Sequence, residues 1–175
     1  MNYENLMIDK SDHIGIITFN RPQRLNTFTK DMAVEFNNAL EEMEKDNDVR
    51  VVIIKGAGKA FCAGIDVNEL YAQESTIESL RWIETMEESI LLMARMGKPV
   101  IAAAHKIAVA NGIGIVASAD LAIAAEGTRF GATAVNIGLF CMGPAVPLSR
   151  CLGRKKALEL LLTGDFIDAA EAERI

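Results

Sequence analysis

A chain of 175 residues, half of them hydrophobic, is long enough for one compact domain with its own core and too apolar for intrinsic disorder. Its formal net charge of -6 argues against a nucleic-acid partner, because such binding needs clustered Lys and Arg to neutralise phosphates. The apolar stretches at 100–104 and 121–125 fall far short of the ~20 residues that cross a bilayer, so no membrane partner is expected.

In chain order, 3–8 and 14–19 have strand character and are separated by Lys10-Ser11-Asp12, which suits a hairpin. Asn20-Arg21-Pro22 stops the second strand. Over 29–44 the residues Met32, Phe36, Leu40 and Met43 recur at helical spacing behind a Thr/Asp start, which predicts an amphipathic helix. A buried strand at 51–54 runs into the glycine-rich stretch Gly56-Ala57-Gly58-Lys59-Ala60-Phe61-Cys62-Ala63-Gly64-Ile65-Asp66. Leu80, Ile83, Met86, Ile90 and Met93 predict a second long helix, ended by Gly97-Lys98-Pro99. Short strands at 100–104 and 121–125 flank a small-residue helix at 112–119, which follows Ala110-Asn111-Gly112-Ile113-Gly114. Further helices are expected over 154–162, beginning with the exposed basic cluster Arg154-Lys155-Lys156, and from Ala169 onward. Strands alternating with helices predict an α/β fold with parallel pairing, read as one domain over 1–175.

Two features carry the functional reading. The stretches 56–66 and 110–114 each put small residues where a strand gives way to a helix, and two such turns aimed at one point would leave main-chain N–H groups free for a developing oxyanion. The glycines form no complete nucleotide-binding fingerprint. Three cysteines, Cys62, Cys141 and Cys151, lie in apolar segments, an odd number that suits a reducing compartment; with no basic apolar leader at the N-terminus, a cytoplasmic protein is expected. His13 and His105 lie far apart, and no metal-ligand spacing is present, so no metal is expected.

The succession Asn20-Arg21-Pro22 with Leu25-Asn26, then 58–66, Lys98-Pro99-Val100-Ile101-Ala102-Ala103, Asp120-Leu121-Ala122-Ile123-Ala124 and Gly153-Arg154-Lys155-Lys156-Ala157 resembles the crotonase, or enoyl-CoA hydratase/isomerase, superfamily. The resemblance implies a spiral of β-β-α units, acyl-CoA thioester substrates with no separate cofactor, and homotrimers or hexamers. It also implies a longer chain, with most of the C-terminal helical region beyond the helices begun at 154–175.

By position in the family motifs, the oxyanion donors would be the main-chain N–H groups of Ile65 and Asn111. Asn111 stands where the family generally has glycine, and asparagine tolerates the positive φ such a turn would ask for. Gly112 and the following helix would add a positive dipole end. Coenzyme A contacts would fall on Arg24, Leu25, Ala63, Gly64 and Asp66. The two glutamate positions of the hydratases fall on Gly114 and Ala134, and an aspartate position of some relatives falls near Met142; none of the three can transfer a proton.

An enzyme of this type would therefore draw its acid or base from elsewhere, with Glu84, Glu87, Glu88 and Tyr71 as candidates. The alternative is a protein that binds acyl-CoA without transforming it. Small residues at 114 and 134 would clear room for a bulkier acyl group, and Cys62, His105 and Asp120 are expected to be structural.

Overall fold

The computed structural model describes residues 3–175. Strands β1 (Leu6–Ser11) and β2 (Ile14–Phe19) form an antiparallel hairpin whose turn places Asp12 and His13 at φ 50° and 65°. Both angles are left-handed, which matches the right-handed twist of the flanking strands. A 3-10 turn at Pro22–Arg24 leads to helix α1 (Lys30–Lys45), strand β3 (Val51–Gly56), the short helix α2 (Val67–Tyr71) and the long helix α3 (Thr76–Arg95). Strands β4 (Val100–Ala104) and β5 (Ile107–Val109), helix α4 (Asn111–Ser118) and strands β6 (Leu121–Ala124) and β7 (Arg129–Gly131) follow. The chain closes with a 3-10 turn at Thr133–Ile137, helices α5 (Met142–Cys151) and α6 (Arg154–Thr163), strand β8 (Phe166–Asp168) and helix α7 (Ala169–Arg174).

Two sheets result. The larger has the order β1-β2-β3-β4-β6, parallel from β2 onward, and the smaller has the order β5-β7-β8. Helix α1 starts where expected because Thr29 accepts the Met32 N–H, and it buries Met32, Phe36, Leu40 and Met43. Phe36 meets Phe19 and Phe28 edge to face, with ring centroids 5.1 and 5.9 Å away, and Phe61 joins through Phe19 at 5.6 Å. Burying each of these rings contributes about 1.5–3 kcal/mol, so this cluster anchors the loop after β3 on the core.

The architecture agrees with the α/β expectation, and five local details differ. The first strand runs over Leu6–Ser11 and not 3–8, so Lys10 and Ser11 pair in the ladder and the hairpin turns at Asp12 and His13. Strands β5, β7 and β8 are three residues each, too short to show a period. Helix α2 is a single capped turn. Helix α5 escapes notice because Gly143, Pro144 and Pro147 lie in it. Within α3 the inward stripe is Trp82, Met86, Ile90 and Met93, whereas Leu80 points out and is 55% exposed.

Candidate functional site

The glycine-rich loop after β3 is held by a buried asparagine. Asn26 Nδ2 donates to the carbonyls of Ala57 (2.9 Å) and Ala60 (2.8 Å), while its Oδ1 accepts the Arg21 N–H at 2.8 Å. Beyond Ala60 the chain is stitched on both sides. Cys62 N–H donates to Ile107 O and Val109 N–H donates to Cys62 O. From the other side Ala63 N–H donates to Leu25 O, Phe28 N–H to Gly64 O and Asp66 N–H to Phe28 O at 2.7 Å.

That last pair is a parallel bridge between Phe28 and Ile65. In a parallel bridge one residue bonds the two neighbours of the other, so the residue between them turns its own N–H and C=O away. The Ile65 N–H accordingly has no hydrogen-bond acceptor among the described residues.

The second turn joins β5 to α4. Ala110 donates its N–H to Gly131 O at 2.9 Å and adopts φ 47°, ψ -114°, a conformation that costs an alanine of order 1–3 kcal/mol. The expected left-handed corner thus falls on Ala110, not on Asn111. Asn111 is already the first helical residue, and its main-chain N–H is among the four that no helix can satisfy internally. No side chain caps α4, and the Asn111 N–H likewise has no acceptor among the described residues. The Asn111 side chain, 5% exposed, also keeps its Nδ2 without a partner.

Glycines let the two turns touch. Gly64 sits at φ 97°, and a Cβ there would lie 2.9 Å from Ala110 Cβ and 4.0 Å from Asn111 N. A Cβ on Gly112 would collide with the Cys62 carbonyl oxygen. Ile65 and Asn111 line one cavity of about 630 Å³, together with Ala63, Trp82, Met86 and Phe140.

The remaining candidates separate clearly. Of the carboxyl groups among the described residues, only Glu87 lines this cavity; Glu84 is solvent-exposed, Tyr71 is 65% exposed, and Glu88 is half-buried outside the lining. The signal was in the helix phase. Glu87 comes four residues after Ile83 and three before Ile90, on the apolar side of α3. Burial raises its carboxyl above the ordinary value, and a hydrogen bond from the Gly143 N–H opposes that rise.

Ala134 lines the cavity with its methyl group. Gly114 offers no free room: a Cβ there would stand 2.9 Å from Pro144 Cγ, so α5 occupies the space. The expectation that Gly114 enlarges the pocket is corrected on that ground. Met142 lines the cavity as well and is 54% exposed.

Arg24 and Leu25 form an exposed turn whose Leu25 carbonyl is tied to Ala63, which places the expected coenzyme A loop beside the cavity wall. Asp66 is outside the lining and caps α2 by accepting the Asn68 N–H. Cys62 is fully buried, its thiol pushed up to about 12 by burial, which disqualifies it as a nucleophile. His105 Nε2 hydrogen-bonds with the Gly58 carbonyl, and Asp120 Oδ2 accepts the Val100 N–H at 2.7 Å, so both serve the scaffold. Apart from Met142, the wall segment Phe140 to Pro144 is not legible in the sequence, because no hydrophobic period marks it. No helix among the described residues is long and apolar enough to cross a membrane.

Residues 9–175 match a family model described as Enoyl-CoA hydratase/isomerase. A protein of Mycobacterium leprae named probable enoyl-CoA hydratase is 36% identical over 179 residues, covering 99% of this chain and 67% of the relative. The crystal structure of an enoyl-CoA hydratase from Mycobacterium smegmatis matches with a TM-score of 0.94 and 38% identity, over 97% of this chain and 66% of that one. Human enoyl coenzyme A hydratase domain-containing protein 3 matches with a TM-score of 0.92 and 32% identity, over 97% of this chain and 67% of that one. The chain therefore spans about two thirds of the length of these relatives.

Proposed function

The chain belongs to the enoyl-CoA hydratase/isomerase family, and we propose that it binds acyl-CoA thioesters and polarises their carbonyl oxygen between the main-chain N–H groups of Ile65 and Asn111. The observation that carries this reading is that both amides belong to residues of one cavity wall and neither has an acceptor among the described residues. Breaking a C–H bond beside a thioester, or adding to a conjugated double bond, makes the carbonyl oxygen more negative. Donors fixed in advance then lower the barrier more than the ground state, at about 2.7–4 kcal/mol for each donor. The first turn of α4, without a side-chain cap, adds its positive dipole end on the Asn111 side.

The reaction we assign is not ordinary hydration, which needs two carboxyl groups flanking the double bond. At the family's first position Gly114 is closed off by Pro144, and at the second Ala134 has no proton to give. The trimeric or hexameric assembly implied by the resemblance is carried with this reading, and sedimentation of the protein tests it.

A panel of acyl-CoA esters, examined by calorimetric titration and by mass spectrometry of the products, tests the function. Saturable binding of CoA esters, lost on hydrolysis of the thioester, is expected. Failure of every ester to bind overturns the reading. Hydration of crotonyl-CoA on the order of 10²–10³ per second would overturn the exclusion of hydration.

A further inference from the structure

We propose that Glu87 is the proton-transfer group of this site, removing a proton from the carbon next to the thioester carbonyl and returning it; the inference rests on the acyl-CoA reading above. Three observations meet at this residue. It is the one carboxyl among the described residues that lines the cavity shared by Ile65 and Asn111. It comes from the apolar side of α3, which also buries Trp82 and Met86, and is half-buried in a mainly apolar wall whose other polar side chains, Asn111, Thr133 and Asn136, are uncharged. Its approach to α5 is made possible by glycine: a Cβ on Gly143 would lie 3.0 Å from both Glu87 Cγ and Oε1.

The step balances without a further reagent. The α C–H bond breaks, its proton goes to a Glu87 carboxylate oxygen, and its electron pair forms a double bond to the carbonyl carbon. The carbonyl π pair moves onto oxygen, where the Ile65 and Asn111 N–H groups hold it. Reversal returns the proton. One carboxylate suffices for removal and return, and the partly desolvated setting raises the carboxylate's affinity for a proton, which suits a base that works near neutrality. The cavity's other titratable group, Cys141, is buried and its thiol raised by that burial, so it stays protonated. Glu84, three residues earlier on α3, faces solvent.

A structural role for Glu87 has equal standing at the outset, since its carboxylate accepts the Gly143 N–H at the otherwise uncapped start of α5. Glu87→Gln separates the two, because the amide oxygen still accepts that bond but cannot take up a proton. The experiment is exchange of the α-protons of butyryl-CoA in deuterated water, read by mass spectrometry, with the dissociation constant measured on the same samples.

The expected result is measurable exchange by the native chain, an about 10²–10⁴-fold loss in Glu87→Gln at unchanged affinity, and partial recovery in Glu87→Asp. Binding with no exchange by the native chain, or exchange undiminished in Glu87→Gln, overturns the assignment while leaving the thioester site standing. Absence of binding overturns the site itself. If Glu87→Gln fails to fold, the native pH profile decides: a rate that rises through an apparent pKa above the ordinary glutamate value supports Glu87, and a flat profile overturns it.

Discussion

The cavity against α3 and α5 and a second one along β6 and α7 are similar in size, about 630 and 820 Å³, and both have walls of mainly apolar side chains. They differ in what the main chain has left over. Along β6, the edge strand of its sheet, the amides that face β4 are used in the ladder, Asp120 N–H and Ala125 N–H bond Val100 O and Ala104 O, and the nearby helix α7 is capped by Asp168 through the Glu171 N–H. In the first cavity a parallel bridge turns the Ile65 N–H outward, and α4 begins without a side-chain cap. Volume alone would favour the wrong hollow. An uncapped helix start beside an outward bridge amide, together with a single carboxylate, marks the one where charge can be stabilised.

Proline at position 65 breaks the comparison most severely. Ile65→Pro removes an N–H that no acceptor in the chain uses, and the preceding Gly64 tolerates the added restriction. Thioester turnover is expected to fall about 10²–10³-fold, with a stability loss of about 1–3 kcal/mol because the Ile65 side chain packs on the core. Steady-state kinetics and thermal melts on the same preparation check both halves.

Next in size are the glycines that bring the turns together. Gly112→Ala forces a Cβ into the Cys62 carbonyl, and Gly114→Glu drives a side chain into Pro144. Each is expected to destabilise by about 1–3 kcal/mol or more, and Gly114→Glu is expected not to create hydration. Denaturant titrations and a crotonyl-CoA hydration assay report these outcomes.

A smaller effect concerns pH. Burial holds the Glu87 carboxyl above its unfolded value, so the native chain binds that proton more tightly than the unfolded one. The stabilisation is fully present below the unfolded pKa and is lost as pH rises through the raised one. Glu87→Gln lacks this loss, so its stability relative to the native chain should grow as pH rises from the ordinary glutamate range through the raised value, measured by paired denaturant curves. The smallest effect lies across the molecule. Ile123→Ser, in the second cavity and 65% exposed, should leave thioester binding unchanged and stability within about 0.5 kcal/mol.

Much of the scaffold could be read in advance because its signals are local. Thr29 announces α1, the spacing of Met32 to Met43 gives its buried face, and glycines 56 to 64 mark the turn after β3. The family resemblance points to Ile65 and Asn111 as candidate donors, and the two residues do line one cavity. The rest depends on contacts distant in sequence. Nothing near Ala110 says that an alanine will take the left-handed corner; the paired Ala110 N–H and Gly131 O hold it there, and the missing side chain of Gly64 leaves room for its methyl group. Gly114 reads as empty space until α5, hidden by its own prolines, lays Pro144 over it. Choosing Glu87 over Glu84 and Glu88 needed only the phase of Ile83 and Ile90 on α3, a signal that was present in the sequence.

The most direct test of the account is the vibrational spectrum of an acyl-CoA labelled with carbon-13 at its thioester carbonyl, recorded free and bound. The account predicts that binding lowers the carbonyl stretching frequency and that Ile65→Pro abolishes much of the shift while the ligand stays bound. A bound thioester whose carbonyl vibrates as it does in water would contradict it.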